Sequence, residues 1–434
     1  MQTIGIDIGT TTISAVLYDS CQGVVTARNV KNDSFLESES WERLQNPEII
    51  WKRSQELLSS LLELCPDVSA IGVTGQMHGI LYLDSSGVPV TPLYTWQDGR
   101  GDLLYDAHTS WVDHLSECTG CTLATGYGMV THYYNLRNGL IPRNAAVFCT
   151  ISDYVAMKFA GRTAPVIEAS NAASLGLFDG VRNRFDCTAL ERAGIPTDLL
   201  PQVATEARLG VGFLGIPVYA AIGDNQASFL GATGGQTDVL LVNVGTGSQI
   251  SVYSSTYLQT STLETRPFPD GGWLLVGASL CGGRSYALLE NFFRQTVKMV
   301  TGTEKSAYDA MTRALEEGGA VTGYPTAVTT FQGTRKDPSQ RGSIKGISTD
   351  NFTPVHLMYS VMDGMAQELY DMYRGYLEKG GTAQKIIVGS GNGLRKNAHL
   401  CRRFEEIFGC KLVLSENDEE AACGAALYAA KLHL

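Results

Sequence analysis

The feature that most constrains the fold is a pattern that occurs twice in the chain. Residues 4–17 read IGIDIGTTTISAVL, and residues 240–253 read LLVNVGTGSQISVY. Both stretches run from apolar residues through Asp or Asn to a Gly-Thr turn with small hydroxyl residues and a β-branched return, at one constant offset that pairs Gly9 with Gly245. Each copy predicts a β-hairpin, and the repeat predicts two copies of one supersecondary unit. The alternative is that two glycine hairpins coincide.

The remaining chain alternates between helix-like and strand-like stretches. Apolar residues recur at helical spacing in residues 51–64, and the apolar runs at 70–73 and 217–222 predict buried strands. Such alternation is typical of α/β domains. We expect a first domain at residues 1–228 and a second at residues 229–434, with the two related domains meeting across a cleft.

Composition excludes several classes of protein. Of 434 residues, 44% are hydrophobic and 18% charged, and the formal net charge is -11, a globular balance whose surface field opposes polyanions. No stretch is apolar for about 18 residues, as a membrane span would need, and the N-terminus carries no signal-peptide pattern. The ten cysteines are scattered, which favours free thiols in the cytoplasm. We therefore expect neither nucleic acid nor membrane as a partner, and a homodimer stays open.

The turns of the two hairpins are candidate phosphate sites. Successive N–H groups in a glycine turn form an anion-binding concavity, and hydroxyl groups add donors. Two such hairpins could clamp the β- and γ-phosphates of a nucleotide through Thr10, Thr11 and Thr12 in the first and Thr246, Gly247 and Ser248 in the second. Asp7, at the end of the first strand, is a candidate Mg²⁺ ligand through water. Taken singly, each hairpin is equally well explained as a tight turn.

Other patterns exclude known nucleotide motifs or indicate no specific site. The chain has no Gly-Lys-Ser or Gly-Lys-Thr, which excludes a Walker A loop, and the glycines of residues 389–393 lack the dinucleotide-binding spacing. That glycine segment follows an apolar strand, so its amides could approach a ribose or phosphate, or it is a plain strand-to-helix turn. The basic run of Arg335, Lys336, Arg341 and Lys345 is more simply a solvated surface.

Asp224 is the candidate catalytic base. It follows the apolar run at 217–222 and precedes a helix-like stretch. A sugar hydroxyl has a high pKa, so a positioned carboxylate can accept its proton during phosphoryl transfer. The alternative role for Asp224 is a helix N-cap.

Polar and planar side chains cluster in two short segments and predict a sugar site. An indole covers sugar C–H faces, while carboxylate, amide, imidazole and guanidinium groups satisfy hydroxyls. The candidates are Gln76, Met77, His78, Trp96, Asp98 and Arg100. Read in isolation, these residues are equally well a turn with a packed Trp and a satisfied core His.

Taken together and in order, these motifs resemble the FGGY family of carbohydrate kinases over nearly the whole chain. Any one of them is weak, and their order along the chain carries the resemblance. The segments are GIDIGTT (5–11), GQMHG (75–79), TWQDGR (95–100), SNAAS (170–174), GDNQAS (223–228), ASLCGG (278–283), VGSG (388–391) and EAACGAA (420–426).

The resemblance implies an α/β fold with two ribonuclease H-like (actin-like ATPase) domains flanking a deep cleft. ATP and Mg²⁺ would bind mainly to the second domain and the sugar mainly to the first. The family's roles fall on Asp224 as base, on the two hairpins for phosphates, on Gly282, Gly283, Gly391 and Asn392 around the nucleoside, and on His78, Asp98 and Asn225 for the sugar.

The resemblance also bears on the substrate. The segment at 95–100, with Gln97, is typical of members that convert sedoheptulose to sedoheptulose 7-phosphate. Asn225 is more usual in members that act on xylulose, so a pentulose is the alternative substrate. A non-sugar actin-like ATPase is the distant alternative, and the sugar cluster argues against it. A sugar sensor is a third interpretation, but no basic helix-turn-helix segment is present.

Overall fold

The two predicted hairpins form, and each lies inside a larger sheet. The computed structural model describes residues 1–269, 271–319, 321–334 and 337–434, so Arg335 and Lys336 of the basic run lie outside the described residues. In the first hairpin Asp7 lies opposite Ser14, and in the second Asn243 lies opposite Gln249. The repeated supersecondary unit predicted from the sequence is therefore confirmed.

The first part of the chain carries the following elements. Its strands are β1 (Gln2–Ile8), β2 (Thr12–Asp19), β3 (Gly23–Lys31), β4 (Leu44–Gln45), β5 (Ala70–Gly75), β6 (Leu81–Leu83), β7 (Leu93–Tyr94), β8 (Val147–Cys149), β9 (Val166–Ile167), β10 (Phe178–Asp179), β11 (Arg184–Phe185), β12 (Gln202–Val203), β13 (Arg208–Val211), β14 (Pro217–Tyr219) and β15 (Ile222–Gly223). Its helices are α1 (Pro47–Leu62), α2 (Trp111–Thr119), α3 (Gly128–Arg137), α4 (Ile151–Phe159), α5 (Ala169–Ser174), α6 (Cys187–Ala193) and α7 (Asp224–Thr233), with a short 3₁₀ helix at Gly99–Asp102.

The second part continues the same alternation. Its strands are β16 (Leu240–Val244), β17 (Ser248–Ser254), β18 (Glu264–Pro267), β19 (Trp273–Ser279), β20 (Thr326–Val328), β21 (Ser343–Lys345), β22 (Ile386–Ser390) and β23 (Lys411–Leu414). Its helices are α8 (Gly282–Thr301), α9 (Tyr308–Gly318), α10 (Pro354–Glu378), α11 (Asn392–Arg395), α12 (Ala398–Phe408) and α13 (Glu420–His433).

The two large sheets repeat one topology. The first has the strand order β13-β14-β5-β1-β2-β3, with β15 also paired to β5, and the second has the order β18-β19-β17-β16-β22-β23. In each, the hairpin pairs antiparallel with a further strand on one side and parallel with a later strand, β5 or β22, on the other. Because parallel strands end at the same edge, the turns of each hairpin lie beside the carboxyl end of that later strand.

Local sequence explains where the elements of the first part begin. The helix expected at residues 51–64 starts earlier, because Asn46 caps it by accepting the Glu48 N–H at 2.9 Å and Pro47 occupies its first position. The strand expected at residues 217–222 is divided into β14 and β15. The helix after it begins at Asp224, with Gly223 as the N-cap.

The chain forms two compact units that do not follow chain order. The first unit contains Met1–Gly235, Arg266–Gly271 and Asn417–Leu434, and the second contains Gln236–Thr265 and Gly272–Glu416. The boundary predicted between residues 228 and 229 lies inside α7, and α13 lies in the first unit although it is last in the chain. The domain assignment itself stays a prediction.

Helix α13 packs tightly against the first unit's sheet and against α7. A Cβ at Gly5 of β1 would lie 1.9 Å from the Ala422 carbonyl oxygen, and a Cβ at Gly424 would lie 1.8 Å from the Ala227 carbonyl oxygen. Thr3 of β1 adds a hydrogen bond from its hydroxyl to the Ala426 carbonyl at 3.1 Å. Glycine at these positions therefore permits backbone-to-backbone packing.

Two expectations from composition can be compared with the structure. All ten cysteines are free, as predicted from their spacing. In the described part of the chain, no helix has the length and apolar character needed to cross a bilayer.

Candidate active site

Asp224 lies at the junction of β15 and α7, where it is the first residue of the helix. Gly223 is the N-cap and no side chain caps this helix, so the alternative reading of Asp224 as the N-cap is wrong. The Ser228 hydroxyl, one turn along α7, donates to Asp224 Oδ1 at 3.3 Å. The N-terminal end of a helix carries partial positive charge, which favours a carboxylate here.

Asp7 and Asp224 are close enough to influence each other electrostatically. Burial, followed by the negative charges of Asp224 and Glu419, holds the pKa of Asp7 well above its usual range. Burial also raises the pKa of Asp224, while the Ser228 hydrogen bond and the positive charge of Arg266 oppose the rise. Two partly buried carboxyl groups that repel each other favour an added cation or proton, and oxygen donors suit Mg²⁺. The chemistry of these two carboxyl groups would suit Mg²⁺, while the described residues include no group of three or more His, Cys, Asp or Glu side chains that could hold a metal ion.

Arg266 is a residue of this region that the sequence analysis missed. Its guanidinium donates a hydrogen bond to Asn225 Oδ1, and the neighbouring Pro267 carbonyl accepts the Gln226 side-chain amide at 2.8 Å. The segment at residues 266–267 thus holds the first turn of α7 from a position some 40 residues later in the chain. No local sequence signal links two segments so far apart.

The first hairpin turn is joined to the predicted sugar residues by a ring of hydrogen bonds. Trp96 Nε1 donates to the Thr10 hydroxyl at 2.9 Å, and that hydroxyl donates to Gln76 Oε1 at 3.4 Å. Gln76 Nε2 donates to Gln45 Oε1 at 2.7 Å, and Gln45 Nε2 donates back to the Thr10 carbonyl at 2.9 Å. Gln45, which the sequence analysis also missed, closes the ring.

The remaining turn residues differ in exposure. Thr11 and Thr12 are exposed, and Thr12 begins β2. Met77 is buried, and its terminal methyl lies 2.9 Å from where a Cβ of Gly223 would be. Met77 therefore packs beside Gly223, the residue that precedes Asp224, whereas Thr11 and Thr12 face solvent.

His78 has a backbone conformation that non-glycine residues rarely adopt, with φ of 74°. Its backbone N–H donates to the Ser174 hydroxyl at 3.2 Å, and its ring Nδ1 lies 2.6 Å from the Ser174 carbonyl oxygen. The ring stacks on Tyr127, with centroids 4.5 Å apart. A strained residue held by several partners is typical of a functional site.

Asp98 and Arg100 form a buried ion pair. Arg100 Nε lies 2.6 Å from Asp98 Oδ1, and the two side chains are 2% and 0% exposed respectively. Arg100 also lies over the Tyr94 ring at 4.1 Å and donates to Asn135 Oδ1 at 2.5 Å. The structure therefore gives these two predicted sugar residues a partner in each other, while Trp96 beside them is 45% exposed.

Apart from Thr10, Thr11 and Thr12, the predicted nucleotide residues lie in the second unit, around the turn at residues 245–247. The Gly283 N–H donates to the Gly245 carbonyl at 2.9 Å, which ties the start of α8 to this turn. A Cβ at Gly282 would lie 2.2 Å from the Gly247 carbonyl oxygen, and one at Gly391 would lie 2.6 Å from the Val244 carbonyl oxygen. Three backbone segments therefore meet at distances that only glycine allows.

This glycine-lined region fits the phosphates and ribose of a nucleotide. The predicted residues here, Thr246, Gly247, Ser248, Gly282, Gly283, Gly391 and Asn392, include no carboxylate. Asn243 takes the place that Asp7 has in the first hairpin, and its amide donates to the Ser390 hydroxyl at 2.5 Å. Backbone amide groups and hydroxyls such as these suit a polyanion.

Family models match almost the whole chain. The N-terminal domain of the FGGY family of carbohydrate kinases matches residues 2–231, and the C-terminal domain of the same family matches residues 240–432.

Full-length relatives support the same assignment. Sedoheptulokinase of Mus musculus is 30% identical, covering 98% of this chain and 96% of the mouse protein. Sedoheptulokinase of Homo sapiens is 28% identical, and the match covers 100% of this chain and 98% of the human protein. A glycerol kinase of Nitrosomonas eutropha is 25% identical, covering 98% and 88%.

Solved structures share the fold. Xylulose kinase from Rhodospirillum rubrum superposes with a TM-score of 0.83 at 21% identity, covering 99% of this chain and 89% of that one. Gluconate kinase from Lactobacillus acidophilus superposes with a TM-score of 0.80 at 20% identity, covering 100% of this chain and 89% of that one. The predicted fold class, α/β with two actin-like ATPase domains, is confirmed.

Proposed function

Because the chain belongs to the FGGY family of carbohydrate kinases and is an ATP-dependent sugar kinase, we propose that its substrate is the ketose sedoheptulose. The product is sedoheptulose 7-phosphate, formed by transfer of the γ-phosphoryl group to the terminal hydroxyl. The observation that carries this proposal is the full-length similarity to the mouse and human sedoheptulokinases, at 30% and 28% identity.

In the proposed mechanism Asp224 accepts the proton of the attacking hydroxyl. Its place at the start of α7, with Ser228 as hydrogen-bond donor, holds the carboxylate in one orientation. ATP supplies the phosphoryl group when bound, and Mg²⁺ neutralises charge on its phosphates. Asp7 would hold the metal, and the turns with Thr10 and Thr246 would hold phosphate oxygens.

The sugar would lie against the exposed face of Trp96. The indole N–H is already bound to Thr10, so the ring orientation is fixed before substrate arrives. His78 and Asn225 are the proposed polar contacts, while Asp98 and Arg100 support the segment beneath Trp96 through their ion pair. Aromatic faces and polar edges together suit a polyhydroxylated ligand.

A pentulose such as xylulose is the second candidate substrate, and Asn225 is the observation that favours it. Arg266 donates to Asn225 Oδ1, which leaves the Nδ2 group as the donor for a ligand. One hydroxyl's difference between ketoses is decided by such contacts, because an unpaired polar group in a site is costly.

The free thiols also support a proposed cytoplasmic location, since reducing compartments keep cysteines unpaired. Assembly as a homodimer stays a prediction.

A coupled ADP-release assay tests the proposed function. Purified protein with Mg²⁺ and ATP is given sedoheptulose, D-xylulose, D-ribulose, L-ribulose, D-fructose, glycerol or gluconate, and the kcat/KM values are compared. Sedoheptulose is expected to give the highest value. A higher value for a pentulose would replace the substrate proposal, and ATP hydrolysis that no sugar stimulates would favour the non-sugar ATPase alternative.

A further inference from the structure

Helix α5 (Ala169–Ser174) contacts two predicted active-site segments at once. Its serines, Ser170 and Ser174, are four residues apart, so their side chains lie on one face of the helix. One serine holds the backbone just before Asp224, and the other holds His78. All three segments belong to the first unit.

Ser170 holds the residue that precedes the proposed base. The Gly223 N–H donates to the Ser170 hydroxyl oxygen at 2.9 Å. The Ser170 hydroxyl in turn donates to Glu168 Oε2, which also accepts the Ser170 backbone N–H at 2.8 Å. Because its only hydrogen is directed at Glu168, the hydroxyl presents a lone pair to Gly223.

Ser174 holds His78 in two ways. Its hydroxyl donates to the Asn171 carbonyl at 2.7 Å and accepts the His78 backbone N–H at 3.2 Å. Its carbonyl oxygen lies 2.6 Å from His78 Nδ1. A carbonyl can only accept, so Nδ1 carries a hydrogen and donates it to the Ser174 carbonyl.

Asn171 anchors α5 between these two contacts. Its side-chain amide donates to the Ser152 hydroxyl at 3.0 Å and to Asp153 Oδ1 at 3.2 Å, both on α4. The same amide reaches the Ala221 carbonyl, just before β15, at 3.4 Å. Ser170 and Asn171 are fully buried, so α5 is fixed on both sides by groups that water does not replace.

We propose that α5 is a positioning element, in which Ser170 and Ser174 set the separation between Asp224 and His78 and orient the His78 ring. The inference rests on the proposed function, since it assigns Asp224 to the proton transfer and His78 to the sugar. Ser170, with Glu168 behind it, acts on the reacting carboxylate. Ser174 acts on the sugar contact, because it holds both the backbone and the ring of His78.

The two serines therefore have different kinetic signatures. Loss of the Ser170 hydroxyl frees the backbone next to Asp224, and a displaced base lowers kcat, because misplacement by about 1 Å can cost on the order of 100-fold. Loss of the Ser174 hydroxyl loosens His78 and raises KM for the sugar. Both serines belong to the first unit, whereas Gly282, Gly283, Gly391 and Asn392 belong to the second, so KM for ATP is expected to stay unchanged.

The experiment compares Ser170→Ala, Ser170→Thr and Ser174→Ala with wild type and with Ser54→Ala. Ser54 is a matched control, because it is another fully buried helical serine whose hydroxyl donates only to the Ile50 carbonyl of its own helix, at 2.9 Å. Each variant is measured for kcat, for KM of the best ketose and of ATP, and for its melting temperature. Kinetic values are expressed per folded enzyme.

We expect Ser170→Ala to lower kcat at least tenfold, Ser170→Thr to restore most of it, and Ser174→Ala to raise sugar KM at least fivefold. Ser54→Ala should lower the melting temperature without changing either constant. Equal kinetic behaviour of Ser170→Ala and Ser54→Ala would overturn the inference. Failure of the proposed function is distinguishable, because wild type would then phosphorylate no ketose.

Discussion

At the scale of single residues, the proposed site contains two carboxyl groups, Asp224 and Asp7, whose ionised forms are disfavoured by loss of hydration. Neighbouring groups offset part of this cost at Asp224. Asp224 is partly buried, which raises its pKa, yet it lies at a helix N-terminus and near the positive charge of Arg266. Loss of hydration, followed by the negative charges of Asp224 and Glu419, raises the pKa of the partly buried Asp7. Carboxyl groups with raised pKa values do not stabilise the fold, so their presence together is better explained by a catalytic role.

Replacing Asp224 with Asn tests its assignment as the base. Asn keeps the shape of the side chain and cannot accept the proton, so kcat is expected to fall by about 10³-fold while sugar and nucleotide still bind. Asp67→Asn, at an exposed position of the same unit, is the control and should leave kcat unchanged. Steady-state kinetics and ligand titration measure both effects, and a near-normal kcat for Asp224→Asn would remove the residue from the mechanism.

His132 makes stability depend on pH. It is buried beside Tyr82, whose hydroxyl lies 2.9 Å from Nδ1, and burial lowers its pKa from 6.5 to about 4, although Asp198 opposes the shift. Below pH 6.5 the unfolded chain binds a proton that the folded chain does not, so stability is lost as the pH falls towards 4. The expected loss between pH 7 and pH 5 is about 2 kcal/mol.

Urea unfolding at several pH values checks this. His132→Gln should remove about 2 kcal/mol of the pH dependence, whereas His108→Gln, at an exposed position, should not alter it. If the free energy of unfolding of His132→Gln depends on pH as strongly as that of wild type, other groups cause the acid sensitivity.

At the scale of elements, the two hairpins are alike in topology and differ in what surrounds their turns. The first turn is held by side chains, through Gln45, Gln76 and Trp96. The second is held by backbone, through the start of α8 and the segment at Gly391. The first turn is therefore tied to the predicted sugar residues Gln76 and Trp96, and the second to the predicted nucleoside residues Gly283 and Gly391.

Gly283→Ala tests the nucleotide assignment. An added Cβ would lie 2.4 Å from the Gly245 carbonyl oxygen, so the turn at 245–247 must move away from α8. We expect KM for ATP to rise about tenfold, which corresponds to about 1.4 kcal/mol, with KM for the sugar unchanged. Gly318→Ala in α9 is the control, because among the described residues its Cβ would meet Val355, at an ordinary contact distance of 3.4 Å. An unchanged KM for ATP in Gly283→Ala would place the nucleotide elsewhere.

At the scale of the whole molecule, stability of the first unit depends on the last helix of the chain. Helix α13 packs on β1, β5 and α7, and most of its residues from Ala421 to Ala430 are buried. The strands that carry Asp7 and the helix that carries Asp224 therefore share one packing partner. The end of the sequence supports a site built near its beginning and its middle.

Gly424→Ala is expected to destabilise the first unit by about 2 kcal/mol, because overpacking outweighs the better helix propensity of alanine. The new Cβ would lie 1.8 Å from the Ala227 carbonyl oxygen and push α7 away from α13. Chemical denaturation measures the change, and Gly318→Ala should be near neutral. Equal stability of both variants would show that α7 and α13 separate at little cost.

The sequence by itself determined the repeated hairpin, the α/β class and most of the candidate residues, because these depend on local patterns. Apolar alternation and glycine turns act over a few residues, and the order of motifs indicated the family. Only the tertiary structure decided which side chains and elements contact the candidate site residues. Gln45 and Arg266 reach the site from segments with no motif, Asp98 and Arg100 turn towards each other, and α13 returns to the first unit. Such contacts follow from packing between distant segments, which local spacing does not encode.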